Sequence, residues 1–171
     1  MAKILMIIAP SDFRDAEYFN PKKVFEENEF EITTASKVVG KITGADGGVA
    51  ESTIKTAEVN VADFDVVVFV GGPGMIALVD DAEFRKLADE FYKAGKLTTA
   101  ICVAPAILAN AGILQGKKAT GWSGIAETLK TSGAIYGAKP IEIDGKIITA
   151  DGPTSVKIFG EKIVQYLLGK T

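Results

Sequence analysis

The sequence predicts an α/β fold in which helices cover a mostly parallel central sheet, with a small antiparallel excursion. Short apolar runs alternate regularly with amphipathic stretches, which is the pattern of parallel strands joined by helical crossovers. The runs are apolar at nearly every position, as expected for strands that are buried on both faces. The chain has 171 residues. This length suits one domain, so we expect a single domain over residues 1–171.

The first third of the chain opens with a nearly uninterrupted apolar run. Residues 3–9 predict the first buried strand. Residues 15–27 predict a helix with acidic side chains in its first turn, and we expect Pro21 to kink it or to split off its opening turn. Residues 30–35 are rich in β-forming side chains, and the glycines between residues 36 and 59 predict the antiparallel excursion.

The middle third contains two further core strands. Residues 65–70 predict a strand that runs directly into the glycine-rich segment 71–74. Residues 83–93 predict an amphipathic helix, which one of two preceding aspartates can cap. The third core strand is expected over residues 97–101.

The last third continues the alternation. Its predicted elements are a helix over 104–111, a strand over 118–122, a short helix over 125–130, strands over 141–143 and 146–150, and a helix over 155–168. The two late strands flank Asp144-Gly145, the strongest short hairpin signal in the chain.

The composition excludes several classes of protein. The net charge is −3, which leaves no basic surface for nucleic acid. No apolar run reaches the roughly 18 residues that cross a membrane, because glycines and a proline interrupt the best candidate, residues 66–79. We therefore expect neither a nucleic-acid partner nor a membrane partner. A single cysteine cannot form an internal disulfide, which suits a reducing compartment, so we expect a cytoplasmic protein.

The chain contains no histidine. This absence excludes a Ser-His-Asp triad, a Cys-His pair and any zinc site that uses an imidazole. Proton transfer must therefore depend on carboxylates, lysines or tyrosines. No acidic cluster has the spacing of a calcium loop, so we expect neither a metal nor another cofactor.

Cys102 is the only cysteine, and it lies where the predicted strand over 97–101 meets the next helix. In open α/β proteins such junctions carry the chemistry, since side chains there project from the carboxyl ends of the strands. A helix N-terminus beside the sulfur favours the thiolate, which is the nucleophilic and oxidisable form. The alternative is a buried cysteine that only fills space, and position alone does not decide between the two.

Three loops are expected to meet at one edge of a parallel sheet: the loop after the first strand, which leads to Glu17, the glycine segment 71–74, and the turn at Cys102. The glycine amides and the amide after Cys102 could then stabilise an oxyanion. Glu17 could equally serve only to complement the helix N-terminus. A catalytic pairing with Cys102 requires a protonated carboxyl that donates to sulfur, or a carboxyl that relays protons, because an ionised Glu17 raises the thiol pKa.

The glycine segment has a second interpretation. Gly72-Pro-Gly-Met-Ile-Ala77 satisfies a loose dinucleotide-binding fingerprint. A dinucleotide site needs a helix that begins at the glycines and an acidic residue at the end of the next strand. The next predicted helix starts near residue 81 and the next strand ends in Cys102, so this interpretation is disfavoured.

Several segments in order resemble the DJ-1/PfpI superfamily. They are Glu17 four residues before Pro21, residues 70–74 (VGGPG), residues 100–105 (AICVAP), residues 118–120 (KAT) and residues 148–153 (ITADGP). The resemblance implies a flavodoxin-like three-layer sandwich, usually a homodimer. It also implies that Cys102 occupies a nucleophile elbow, that Glu17 is hydrogen-bonded to its sulfur, and that Gly71, Gly72, Val103 and Trp122 line the pocket.

The departures from the family pattern bear on activity. Val103 stands where relatives described as intracellular proteases carry a histidine, and Trp122 stands where many relatives place another. Asp151 occupies a position at which DJ-1-type relatives tend to have arginine. Proteolysis is therefore the least favoured family function.

Two functions remain, together with a non-catalytic scaffold. The first is cofactor-free conversion of a small α-oxoaldehyde, of the glyoxalase or deglycase type, with Cys102 as nucleophile and Glu17 as proton carrier. The second is a redox-sensing or stress-protective role in which Cys102 is oxidised to the sulfinate without turnover. The corresponding partners are a small carbonyl compound or an oxidant.

Overall fold

The computed structural model describes residues 1–170. Its strands are β1 (Lys3–Ile7), β2 (Glu31–Ser36), β3 (Gly40–Thr43), β4 (Val49–Ser52), β5 (Ile54–Lys55), β6 (Val66–Phe69), β7 (Leu97–Ile101), β8 (Lys118–Ala119), β9 (Ile135–Tyr136), β10 (Ile141–Asp144) and β11 (Ile147–Ala150). Its α-helices are α1 (Asp15–Glu27), α2 (Ala82–Lys93), α3 (Pro105–Asn110), α4 (Ala126–Thr131) and α5 (Val156–Leu167).

Seven of these strands form the central sheet in the order β10-β11-β7-β6-β1-β2-β5. Every neighbouring pair is parallel except β10 and β11, which form the antiparallel hairpin predicted around Asp144-Gly145. β1, β6 and β7 lie side by side at the centre, so their carboxyl ends reach the same edge.

Apolar side chains fill the space on both faces of the sheet. One core cluster includes Phe69, Phe84 and Phe91 and lies beneath α2 and α3. The other includes Phe25 and Phe159 and lies beneath α1 and α5. These layers confirm the expected three-layer α/β sandwich with a mostly parallel sheet. The expected antiparallel excursion is also present, because β3 pairs with β4 in a separate sheet.

Helix α1 is not split at Pro21, so the expectation of a separate opening turn was wrong. Proline has no N–H, which leaves the Glu17 carbonyl without its usual helical donor. Pro21 is buried against α5, and a Cβ added to Gly160 would come 3.2 Å from the Pro21 Cα. This close packing of α1 on α5 stabilises the helix despite the missing hydrogen bond.

The prediction of a strand over residues 118–122 was also wrong, both in the length of the strand and in its place in the sheet. β8 covers only Lys118–Ala119 and pairs in parallel with β9, outside the central sheet. The hairpin β10–β11 occupies the sheet edge instead. The run 118–122 is apolar only in part, and this left its pairing partner undetermined from sequence.

Candidate functional site

Cys102 lies at a sharp turn immediately after β7. Its φ angle is +64°, a conformation that costs a residue with a Cβ on the order of 1–3 kcal/mol. The backbone holds it from both sides, because its N–H donates to the Ala150 carbonyl at 3.0 Å and its carbonyl accepts from the Trp122 N–H at 2.7 Å. The side chain is half-buried, so the sulfur is presented at the carboxyl edge of the sheet.

Gly71 separates Cys102 from Glu17. A Cβ added at Gly71 would lie 2.6 Å from Glu17 Oε2 and 2.8 Å from Cys102 Cβ. Both side chains therefore occupy the space that any other residue at position 71 would need. The Gly71 carbonyl also accepts the Arg14 N–H at 3.0 Å, which joins the loop after β1 to the loop after β6.

Glu17 is fully buried, with 0% of its surface exposed. Neither carboxyl oxygen has a partner at full hydrogen-bonding geometry within residues 1–170. Burial raises the pKa of Glu17 from 4.5 to about 7, although the nearby Cys102 thiol, Arg14 guanidinium and Gly71 amide each lower it. This carboxyl can thus exchange a proton near neutral pH.

The pKa of the Cys102 thiol is raised, whereas its position before a helix had led us to expect a thiolate. Burial, followed by the negative charge of Glu17, raises the pKa of Cys102 to about 12. The Val103 amide and the Arg14 guanidinium favour the thiolate but do not offset these two effects. At neutral pH the sulfur therefore keeps its proton, and the neighbouring carboxylate is the group that can remove it.

A cavity of about 250 Å³ opens beside Cys102. Its other lining residues are Arg14, Gly72, Pro73, Ile76, Val103, Trp122 and Pro153. Trp122 is 46% exposed and forms part of its wall rather than of the core. The cavity is mostly apolar and suits a small molecule with few polar atoms.

Two backbone amides near the sulfur are free to bind an anion. Within residues 1–170, neither the Gly72 nor the Val103 N–H donates to a backbone carbonyl. Both residues line the cavity, and the Val103 amide already favours the Cys102 thiolate. Free N–H groups beside a nucleophile are what an oxyanion requires.

The glycine segment serves close packing rather than a dinucleotide. Residues Pro73–Leu78 form a 3₁₀ helix, and α2 begins only at Ala82. A Cβ at Gly72 would come 2.3 Å from the Arg14 nitrogen, and one at Gly74 would come 1.8 Å from the Ser11 carbonyl oxygen. The glycines are required because the loop after β1 crosses directly over them, so the disfavoured dinucleotide interpretation does not fit.

The structure brings together all the residues that the sequence analysis singled out for this site, namely Glu17, Gly71, Gly72, Cys102, Val103 and Trp122. It adds Arg14, Ile76 and Pro153, which sequence reasoning missed. Arg14 directly precedes α1, three residues before Glu17. This proximity to Glu17 was the only feature of the sequence that could have predicted Arg14 as a site residue. Residues 1–170 contain no group of three or more Cys, Asp or Glu side chains that could hold a metal ion.

The comparisons with known proteins identify the family. The sequence profile of the DJ-1/PfpI family matches residues 2–166. The chain belongs to the DJ-1/PfpI family. A solved ThiJ/PfpI domain protein of Brachyspira murdochii superimposes with a TM-score of 0.96 at 34% identity, over 99% of this chain and 98% of that one.

Two further relatives are similar to this chain over nearly their whole length. General stress protein 18 of Bacillus subtilis is 31% identical over 98% of this chain and 99% of its own. Protein/nucleic acid deglycase 2 of Escherichia coli is 28% identical over the same shares, 98% and 99%. Among residues 1–170, no helix is both long enough and apolar enough to span a membrane.

Proposed function

We propose that this DJ-1/PfpI protein converts small α-oxoaldehydes to α-hydroxy acids, with Cys102 as nucleophile, Glu17 as proton carrier and no cofactor. The single observation that carries the proposal is the placement of a buried carboxyl with a pKa of about 7 against the only thiol, across Gly71. A base with a pKa near the working pH is the most effective proton carrier.

The first step is addition of the thiol to the aldehyde. Ionised Glu17 accepts the Cys102 proton as sulfur attacks the aldehyde carbon, and the carbonyl π electrons move to oxygen. The Gly72 and Val103 amides and the Arg14 guanidinium lie around the cavity where this oxyanion forms. Glu17 then returns the proton to the oxygen, which yields a hemithioacetal and restores the carboxylate.

The second step moves a hydrogen between the two oxygenated carbons. Glu17 removes the proton on the former aldehyde carbon, and the electron pair moves onto the ketone oxygen to give an enediolate. The hydroxyl proton passes from the first oxygen to the second, and Glu17 then delivers the carbon-derived proton to the adjacent carbon. The product is a thioester of the hydroxy acid on Cys102. Water then cleaves this thioester, so the net reaction adds one water to the oxoaldehyde and regenerates the thiol. We assign these proton transfers to Glu17 because it is the buried carboxyl that lies beside Cys102 across Gly71.

The relatives support this class of chemistry. A relative that covers nearly the whole chain is named a protein/nucleic acid deglycase, and deglycation acts on products of oxoaldehydes. The absence of histidine is compatible with the proposal because Glu17 supplies the base.

The test is formation of lactate from methylglyoxal by purified protein, measured enzymatically against a no-protein blank. The wild-type protein should form lactate, and Cys102→Ala should form none above the blank. Lactate formation by the Cys102→Ala protein at the wild-type rate would overturn the proposal.

A second candidate is a redox sensor without turnover. It is favoured by a single half-buried sulfur beside a carboxyl, which can hold an oxidised sulfur by hydrogen bonding, and by a relative named general stress protein 18. Mild peroxide should then add two oxygens to Cys102 alone, as seen by intact mass and peptide mapping. Oxidation confined to methionines, with an unmodified thiol, would exclude this role.

A further inference from the structure

A second cavity lies beside the one that contains Cys102. Its volume is about 300 Å³. The two cavities share Trp122 and Pro153 as lining residues and are therefore adjacent. We refer to the pair as the groove, and Cys102 lines only one half of it. A three-carbon oxoaldehyde attached to the sulfur would occupy the first half and leave the second unfilled.

The second cavity contains a carboxylate with an available oxygen. Asp151 lines this cavity, and its Oδ1 accepts a hydrogen bond from Ser155 Oγ at 2.5 Å. Within residues 1–170, no hydrogen bond or ion pair involves its Oδ2. The Ser155 bond fixes the carboxylate while the second oxygen remains open to a ligand.

Aromatic side chains complete the surroundings of this carboxylate. Trp122 is 46% exposed and lines both halves of the groove. Tyr136 lines the second half, but the Lys130 ammonium already lies 5.6 Å from its ring centroid. The Trp122 indole is therefore the aromatic surface left for a ligand. An exposed indole beside a carboxylate is a favourable environment for an organic cation.

Charge changes sign along the groove. Arg14 lines the half that contains Cys102, and Asp151 lines the other half. Arg14 can therefore stabilise negative charge on the carbonyl oxygen beside Cys102. Asp151 can stabilise a positive group in the other half of the groove.

We infer that the second cavity binds an ammonium or guanidinium group carried by the substrate on the side remote from its aldehyde. The inference rests on the proposed function for the reacting carbonyl alone. Asp151 then determines specificity, because it favours cationic over anionic substrates. The substrate class is an α-oxoaldehyde derivative with a cationic tail.

The test uses Cys102 itself as the reporter and does not depend on turnover. Labelling rates by three methanethiosulfonates of similar size, with trimethylammonium, neutral and sulfonate tails, are measured by intact mass. Asp151→Asn should lower the ratio of cationic to anionic labelling rates about fivefold, as expected for loss of one charge at short range. Asp151→Glu should keep the wild-type ratio.

Glu31→Gln is the matched control. Glu31 is exposed and begins β2, at the edge of the sheet opposite Cys102, so this variant changes the net charge equally without touching the groove. An Asp151→Asn ratio equal to the Glu31→Gln ratio would overturn the inference and leave the proposed function intact. If the ratio falls as expected while wild-type protein forms no lactate, the proposed function is wrong and the cationic site stands.

Discussion

Glu17 and Cys102 meet across Gly71, where the Glu17 Oε2 and the Cys102 Cβ both lie within 2.8 Å of the point that a Cβ on residue 71 would occupy. No other residue type leaves room for both side chains. The pairing therefore depends on three separate loops, one after each of the central strands β1, β6 and β7.

Gly71→Ala should separate this pair. The new methyl group would displace either the carboxyl or the cysteine, and overpacking of this kind typically costs 1–3 kcal/mol, so about 2 kcal/mol of unfolding free energy should be lost. Lactate formation should fall at least about tenfold. Urea unfolding and the lactate assay measure the two effects.

Gly137→Ala is the control for that substitution, because a Cβ at Gly137 meets no atom closer than 3.8 Å. It should leave both quantities unchanged. Full activity in Gly71→Ala would show that the two side chains need not be in contact.

The raised pKa of Glu17 should make the protein less stable as pH rises. The folded state binds a proton more tightly than the unfolded state, so between the unfolded value of 4.5 and the folded value of about 7 the folded state holds more protons. The unfolding free energy should therefore fall by about 3 kcal/mol from pH 4.5 to pH 7 through this group and then level off. Urea unfolding across this range measures the slope.

Glu17→Gln should remove this contribution to the dependence of the unfolding free energy on pH, since glutamine does not titrate. Glu127→Gln, at a side chain that is 89% exposed, provides the comparison and should retain the wild-type slope. Equal slopes in all three proteins would show that Glu17 titrates normally.

Glu17→Gln should change turnover and alkylation in opposite directions. Lactate formation should be lost with the base, whereas the thiol pKa should fall because the neighbouring negative charge is gone. The rate of iodoacetamide labelling of Cys102 at pH 8 should rise about threefold for each unit by which the thiol pKa falls, because the thiolate fraction grows about tenfold while the nucleophilicity of each thiolate declines. Slower labelling would contradict this prediction and would show that Glu17 speeds attack by sulfur more, as a base, than its charge slows it through the thiol pKa.

Arg14→Gln should move the pH profile of activity to higher pH. The Arg14 guanidinium lowers the pKa of both Glu17 and Cys102, so its removal raises both. The rise of kcat/KM with pH, which reports ionisation of Glu17, should then shift upward from about pH 7. Asp46→Asn breaks the 3.3 Å ion pair of Arg14 but keeps its charge, and it should not cause the upward shift.

The fold could be predicted because the central strands are buried on both faces and therefore apolar throughout. Residues Ile4 to Ile7 have no exposed surface, and the run over residues 66–69 is equally buried. The short strand β8 could not be placed, since pairing of two-residue strands depends on tertiary contacts rather than on pattern. Pro21 was misjudged for a similar reason, because helix packing outweighs one missing hydrogen bond.

The convergence of Glu17, the glycine segment and Cys102 could be predicted, whereas the contributions of Arg14, Ile76 and Pro153 and the electrostatics of the site could not. The order of strands and glycines placed Glu17 and Cys102 at one sheet edge, and this convergence requires only a parallel sheet. The pKa values depend instead on how completely the loops exclude water from Glu17, which is fully buried. The sequence carries no signal for that burial, and this is why the thiolate expected from the helix N-terminus is replaced by a thiol beside a carboxylate.

The most direct test of the coupling between Glu17 and Cys102 is a carbon-13 NMR titration of the Glu17 carboxyl, with its signal assigned by comparison with Glu17→Gln. We predict a midpoint near pH 7, with a coupled shift at the Cys102 Cβ. A midpoint near 4.5 without any response at Cys102 would contradict it, because Glu17 would then be an ordinary carboxylate unconnected to the sulfur.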